Sequence, residues 1–148
     1  MTGRRGRGRM MDDWYARLTA LEGGDVGPTD AAFDRSGVVR ARAASMPGLP
    51  RAVVARLADD PDVNVRCRVA RRPDLSEAIL DDLAWDESPA VRRVVAARTD
   101  LPARAVERLR CDVDADVLDA IGEPFRAAAI RALDVPVDPR AGERRWPF

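Results

Sequence analysis

At 148 residues the chain has the length of a single domain, long enough for a continuous core. Aromatics make up only 5 %, so that core has to be built from Leu, Val and Ala, small side chains that let short helices pack closely. Charged residues reach 34 %, yet the formal net charge is zero, which excludes a domain-wide basic field of the kind that draws in nucleic acid. Arginine is the only cation, since the chain has no Lys, His or Gln. With abundant Ala, Val and Asp this fits the codon usage of a GC-rich bacterial genome. It also has a physical consequence, because Arg forms planar two-point pairs that Lys cannot.

Residues 1–11 contain GRRGRGR at positions 3–9, followed by Met10 and Met11. Gly and Arg have little to bury, and a disordered basic tail is expected there. The run is similar to short RNA-binding tails but has no interleaved aromatic to stack a base. A second start at the methionines is the other reading of it. Residues 12–33 are read as an N-terminal cap. DDWYARLTALE places Trp14, Leu18 and Leu21 on one helical face, with Asp12 and Asp13 at the favoured N-terminal end, and Gly23-Gly24 stops the helix. GDVGPTD reads as a loop.

Residues 34–122 carry an echo with a period of 26 residues. Asp34/Val39/Arg40/Ala44 recurs as Asp60/Val65/Arg66/Ala70 and Asp86/Val91/Arg92/Ala96, and a fourth copy, Asp112/Val117/Leu118/Gly122, has lost its Arg. Between the copies run Leu49/Leu57, Leu75/Leu83 and Leu101/Leu109. A fixed period implies units that bury their apolar faces only against neighbours. Pro50 opens a helix with Val53, Val54 and Leu57 on one face, ended by Asp59-Asp60-Pro61. The next segment, VNVRCRVARR, alternates like a strand, but its equivalents PAVRRVVAAR and DVLDAIG fit a helix, and equivalent units must share a conformation. Ser76 is the expected N-cap of the following helix. Helices of two or three turns do not survive alone in water, so stacking must hold them. Residues 123–148 are read as a closing helix, FRAAAIRAL, with Phe125, Ile130 and Leu133 at helical spacing, and an extended tail. The expected fold is all-α, a solenoid of short helix pairs.

The string L-x-x-L-x-x-D, then V-R-x-x-V-A, then a short Pro/Asp join reads here as VVARLADDPDVNVRCRVARRPDL and ILDDLAWDESPAVRRVVAARTDL. It resembles the leucine-rich repeat variant family over residues 34–122. The resemblance implies a right-handed superhelix that alternates α and 3₁₀-like helices, and carries no catalytic residues. The family's Asn-Pro join is replaced by Arg72-Pro73 and Arg98-Thr99. DPDVNVR is also similar to the HEAT-like signature, but those units run to about 40–47 residues.

The repeated Asp34, Arg40, Asp60, Arg66, Asp86 and Arg92 are read as an internal ladder, each Asp accepting bonds from a helix start and from an Arg of its own or the next unit. The other reading is a binding stripe, in which opposite charges would cancel. Off that ladder, Arg68, Arg71, Arg72, Arg93 and Arg98 gather on the second helices of two units, where the last unit has Asp116 and Asp119. They are either a solvated face or a patch for an acidic partner. Trp85 is either packing or an exposed anchor.

Without His, acid–base work would fall to carboxylates, Tyr15 or a thiol, and no phosphate loop, paired-carboxylate motif or metal spacing is present. Cys67 and Cys111 fit no metal site and are expected to be inert thiols in a reducing cytoplasm. No run reaches the ~20 apolar residues that cross a bilayer. The expected function is therefore a non-catalytic protein-interaction scaffold without cofactor or membrane partner, and the second reading is a nucleic-acid binder using the central arginines and the tail.

Overall fold

The computed structural model describes residues 8–134; residues 1–7 of the expected basic tail (residues 1–11) and the expected extended tail at 135–148 lie outside it. Among the described residues there are ten α-helices and no strand. They are α1 (Gly8–Gly23), α2 (Pro28–Ala31), α3 (Gly37–Ala44), α4 (Arg51–Ala58), α5 (Val63–Ala70), α6 (Glu77–Leu83), α7 (Pro89–Ala96), α8 (Ala103–Arg110), α9 (Ala115–Ala120) and α10 (Pro124–Asp134). The starts of α3, α5, α7 and α9 fall 26 residues apart, as do those of α4, α6 and α8.

Local chemistry sets the boundaries. Pro50 and Pro102 stand at the N-caps of α4 and α8, and Pro89 is the first residue of α7, where a missing N–H costs nothing. Asp62, Ser76 and Asp114 cap α5, α6 and α9 through their side chains. Gly24 and Gly122 take φ of +84° just after α1 and α9, a conformation that ends a helix cheaply only at glycine. The segment 63–70 is helical despite its alternating pattern. Both helices of each unit are α, so the α/3₁₀ alternation implied by the resemblance is absent from the described residues. Bonds of the i→i−3 type appear at their C-termini, as from Asp59 N–H to Arg56 O.

Two expectations need correction at the N-terminal end. Helix α1 begins at Gly8, inside the expected basic tail, so Asp13 sits beyond the first turn and pairs with Arg17 and Arg35. The predicted loop GDVGPTD contains the single turn α2, started by Pro28.

Helices at equivalent positions pack on one another: α1 on α3, α3 on α5, α5 on α7, α7 on α9 and α9 on α10, with α4 on α6 and α6 on α8 alongside. The core follows the echo. Val39, Val65, Val91 and Val117 are at most 1 % exposed, and Leu57, Leu83 and Leu109 at most 2 %. Each such side chain contributes roughly 1.5–3 kcal/mol on burial, which the lone short helices lack.

Between these layers run four arginine–aspartate forks. Arg40 Nε and Nη2 donate to Asp60 at 2.7 and 2.8 Å, Arg66 to Asp86 at 2.8 and 3.0 Å, and Arg92 to Asp112 at 2.6 and 3.0 Å. Arg17 of α1 completes the set, donating to Asp34 at 2.6 and 3.1 Å. Each carboxylate thus takes its arginine from the preceding layer, which corrects the expected pairing with an arginine of its own or the next unit. The arginine six residues on binds the backbone carbonyl instead: Arg40 to Asp34 O, Arg66 to Asp60 O, Arg92 to Asp86 O, at 2.8–2.9 Å. Every fork carboxylate also accepts the N–H two residues later, of Ser36, Asp62, Ser88 and Asp114. Where the fourth unit has Leu118, the ladder stops.

Burial pushes the Asp60 and Asp112 carboxyls up, but the arginine forks and backbone N–H bonds outweigh it and hold both below the ordinary carboxylate range. A depressed folded value means the unfolded chain binds the proton more readily, so this stabilisation is present above the unfolded value and lost as pH falls. The urea midpoint is expected to be flat above about pH 5 and to fall below about pH 4, with a shallower fall in Asp60→Asn; equal slopes in the two proteins would contradict it. Arg66→Ala strands Asp86, whose side chain is 7 % exposed, and is expected to cost about 3 kcal/mol in urea unfolding.

Candidate functional site

A second column of arginines lies at the other ends of the same helices. Arg72 is 5 % exposed; its Nη1 donates to Ala44 O and Met46 O at 2.8 and 2.7 Å, and its other nitrogens fork onto Asp74. Arg98 repeats the arrangement one unit later, bonding Ala70 O, Arg72 O and Asp100. Both arginines satisfy carbonyls left open at the ends of α3 and α5. The guanidinium bonds hold the Asp74 carboxyl low against a small opposing effect of burial. These two side chains, read from the sequence as candidate contacts, are spent on joining layers.

The remaining candidates separate. Arg93 forks onto Asp114 at 3.0 and 2.7 Å from an exposed position. Arg71 is exposed and donates only to Cys67 O of its own helix, and Arg68 is exposed with no hydrogen bond or ion pair among the described residues. Trp85 is 67 % exposed on a different edge, with the Arg108 guanidinium 5.8 Å from its ring centroid. Its equivalent two units earlier, Phe33, carries Arg56 at 4.4 Å. The unit between has Asp59 and Asp82 at those positions. Trp85 is thus not brought together with the arginines of α5.

Arg68 and Arg71 border a groove of about 860 Å³ formed by α1, α3 and α5. Helices α3 and α5 run parallel, since Asp62 at the start of α5 lies against the start of α3 while Arg72 beyond the end of α5 bonds the end of α3. Asp62 can lie there because Gly37 has no side chain; a Cβ would collide with its carboxylate. The groove therefore has two unlike ends. Arg42, Arg68 and Arg71 stand at the C-terminal end, and Asp62 and Asn64 at the N-terminal end. Leu18, Val38, Ala41 and Cys67 supply apolar lining between them. Arg42 is held by Glu22 at 3.0 Å. Arginines at the C-terminal end also meet the favourable pole of the helix dipoles. Smaller grooves of about 300 and 450 Å³ adjoin at Arg71.

Cys67 is half-buried in this lining, and burial pushes its thiol up, away from the reactive thiolate. Cys111 is exposed. No group of His, Cys, Asp and Glu suited to a metal ion occurs among the described residues, and no described helix is long and apolar enough to cross a membrane.

Compared with known proteins, the chain matches no family model, no curated protein and no solved structure.

The separation of locked from unlocked arginines is measurable. Arg72→Ala is expected to lose about 3 kcal/mol of unfolding free energy, as for a buried charged group whose partners are left bare, and Arg71→Ala less than about 0.5 kcal/mol, as for an exposed side chain. Similar losses in the two variants would remove the distinction.

Proposed function

We propose that the chain is a non-catalytic interaction scaffold: a right-handed helical solenoid of 26-residue units that resembles the leucine-rich repeat variant family and presents the α1–α3–α5 groove to a protein partner. The observation that carries this reading is that repeated arginines elsewhere are consumed by the layers, while Arg68 and Arg71 are left at the mouth of a concave surface. Exposed guanidinium groups without a carboxylate partner among the described residues are available to a ligand carboxylate, the two-point partner that Arg favours.

A protein partner fits better than nucleic acid. Glu22 and Asp62 line the same groove, and a polyphosphate backbone laid along it would meet both. The Leu18, Val38 and Ala41 lining suits apolar side chains. Among the described residues that line the groove, none supplies a base-stacking aromatic.

The test is affinity capture on the purified chain and on an Arg68→Ser/Arg71→Ser variant, with nuclease treatment. The expected result is a set of proteins retained by the parent chain, lost by the variant and indifferent to nuclease. Retention of RNA or DNA, with affinity falling steeply between low and physiological salt, would replace this reading with nucleic-acid binding.

A further inference from the structure

We infer, resting on the scaffold reading, that the α1–α3–α5 groove takes an extended peptide segment with an acidic residue at one end and a basic residue about four positions away. The inference comes from the two unlike ends of the groove. At one end Arg68 and Arg71 have no carboxylate partner among the described residues, whereas Arg72 beside them has Asp74 and Arg42 has Glu22. At the other end Asp62 accepts from the Asn64 N–H at 2.8 Å and its side-chain amide at 3.1 Å, and no described cation pairs with it.

The spacing follows from helix geometry. From Asp62 at the N-cap to Arg71 at the C-cap, α5 rises about 13 Å at about 1.5 Å per residue. An extended chain covers that length in about four residues. A side chain with a carboxylate at the Arg68/Arg71 end therefore places a side chain about four residues off beside Asp62, where only a cation or a hydrogen-bond donor is favoured. Between them, alternate side chains face the Val38, Ala41 and Cys67 lining. A segment laid the other way round puts its carboxylate against Asp62 and its cation against three arginines, so the two ends of the groove fix the direction in which a given segment lies.

Panning a library of displayed random 12-residue peptides on the immobilised chain tests this, with synthetic copies of the selected peptides measured by fluorescence anisotropy. Selected peptides are expected to share Asp or Glu with Arg or Lys about four residues away. Arg68→Ser/Arg71→Ser is expected to weaken them tenfold or more with unchanged thermal unfolding. Asp62→Asn keeps the cap, since Asn caps as well as Asp, and is expected to abolish the advantage of the basic residue while retaining that of the acid. Peptides without an acid, an empty selection, or affinities indifferent to the arginine variant each overturn the inference. Peptides that bind elsewhere leave the scaffold reading standing, whereas loss of the captured proteins together with uptake of nucleic acid removes that reading itself.

Discussion

Everything in this fold depends on the fork between an arginine of one layer and an aspartate of the next. A helix of eight residues cannot hold itself in water, and the layers here have only Val, Leu and Ala to bury. Apolar contact is non-directional and would tolerate sliding or rotation of one layer on the next. The forks remove that freedom. Arg40–Asp60, Arg66–Asp86 and Arg92–Asp112 each fix two donor–acceptor lines in a plane, and each carboxylate also ties down the backbone N–H two residues on. One side chain thereby sets the distance to its neighbour, the entry of the next helix and the orientation of both. Such a buried pair adds little net stability over an apolar substitute; its contribution is register.

The parallel packing of α3 and α5 brings like helix poles side by side, an arrangement that is electrostatically unfavourable by itself. The two charged columns answer it at both ends. Carboxylates of Asp34, Asp60, Asp86 and Asp112 gather where the helices start, and Arg72 and Arg98 reach the carbonyls where α3 and α5 end. A chain of zero net charge with a third of its residues charged is the compositional trace of this arrangement.

Much of the fold was legible because the units could be read against one another. The alternation of Val63, Val65, Cys67 and Val69 misleads in isolation, and the equivalents at Val91–Val95 resolve it. Where the echo fails, so does the reading. Helix α2 has a four-residue sequence whose only signal is Pro28, and the start of α1 is hidden in Gly and Arg. The second arginine column has its own trace in the chain: Arg72-Pro73-Asp74 and Arg98-Thr99-Asp100 repeat the same Arg-x-Asp spacing one period apart. Arg17 could not be assigned, because it lies three positions away from the register of Arg40 and reaches Asp34 from a longer helix. The pairing of Arg56 with Phe33 and of Arg108 with Trp85 was obscured by the intervening unit, which has aspartate at both places. The groove itself is a property of how α1, α3 and α5 meet, and no single segment encodes it.

The ends of the ladder have a consequence for assembly. Modular stacks invite polymerisation, since a unit that accepts its neighbour also accepts the same unit from another molecule. Here the first acceptor, Asp34, is already occupied by Arg17, and the last unit offers Leu118 in place of a donor. A second copy arriving end to end meets an Asp34 that is already occupied, and in the last described unit a leucine where the other units carry the fork arginine. Among the described residues the row of forks is thus terminated on one side by Arg17 and on the other by Leu118.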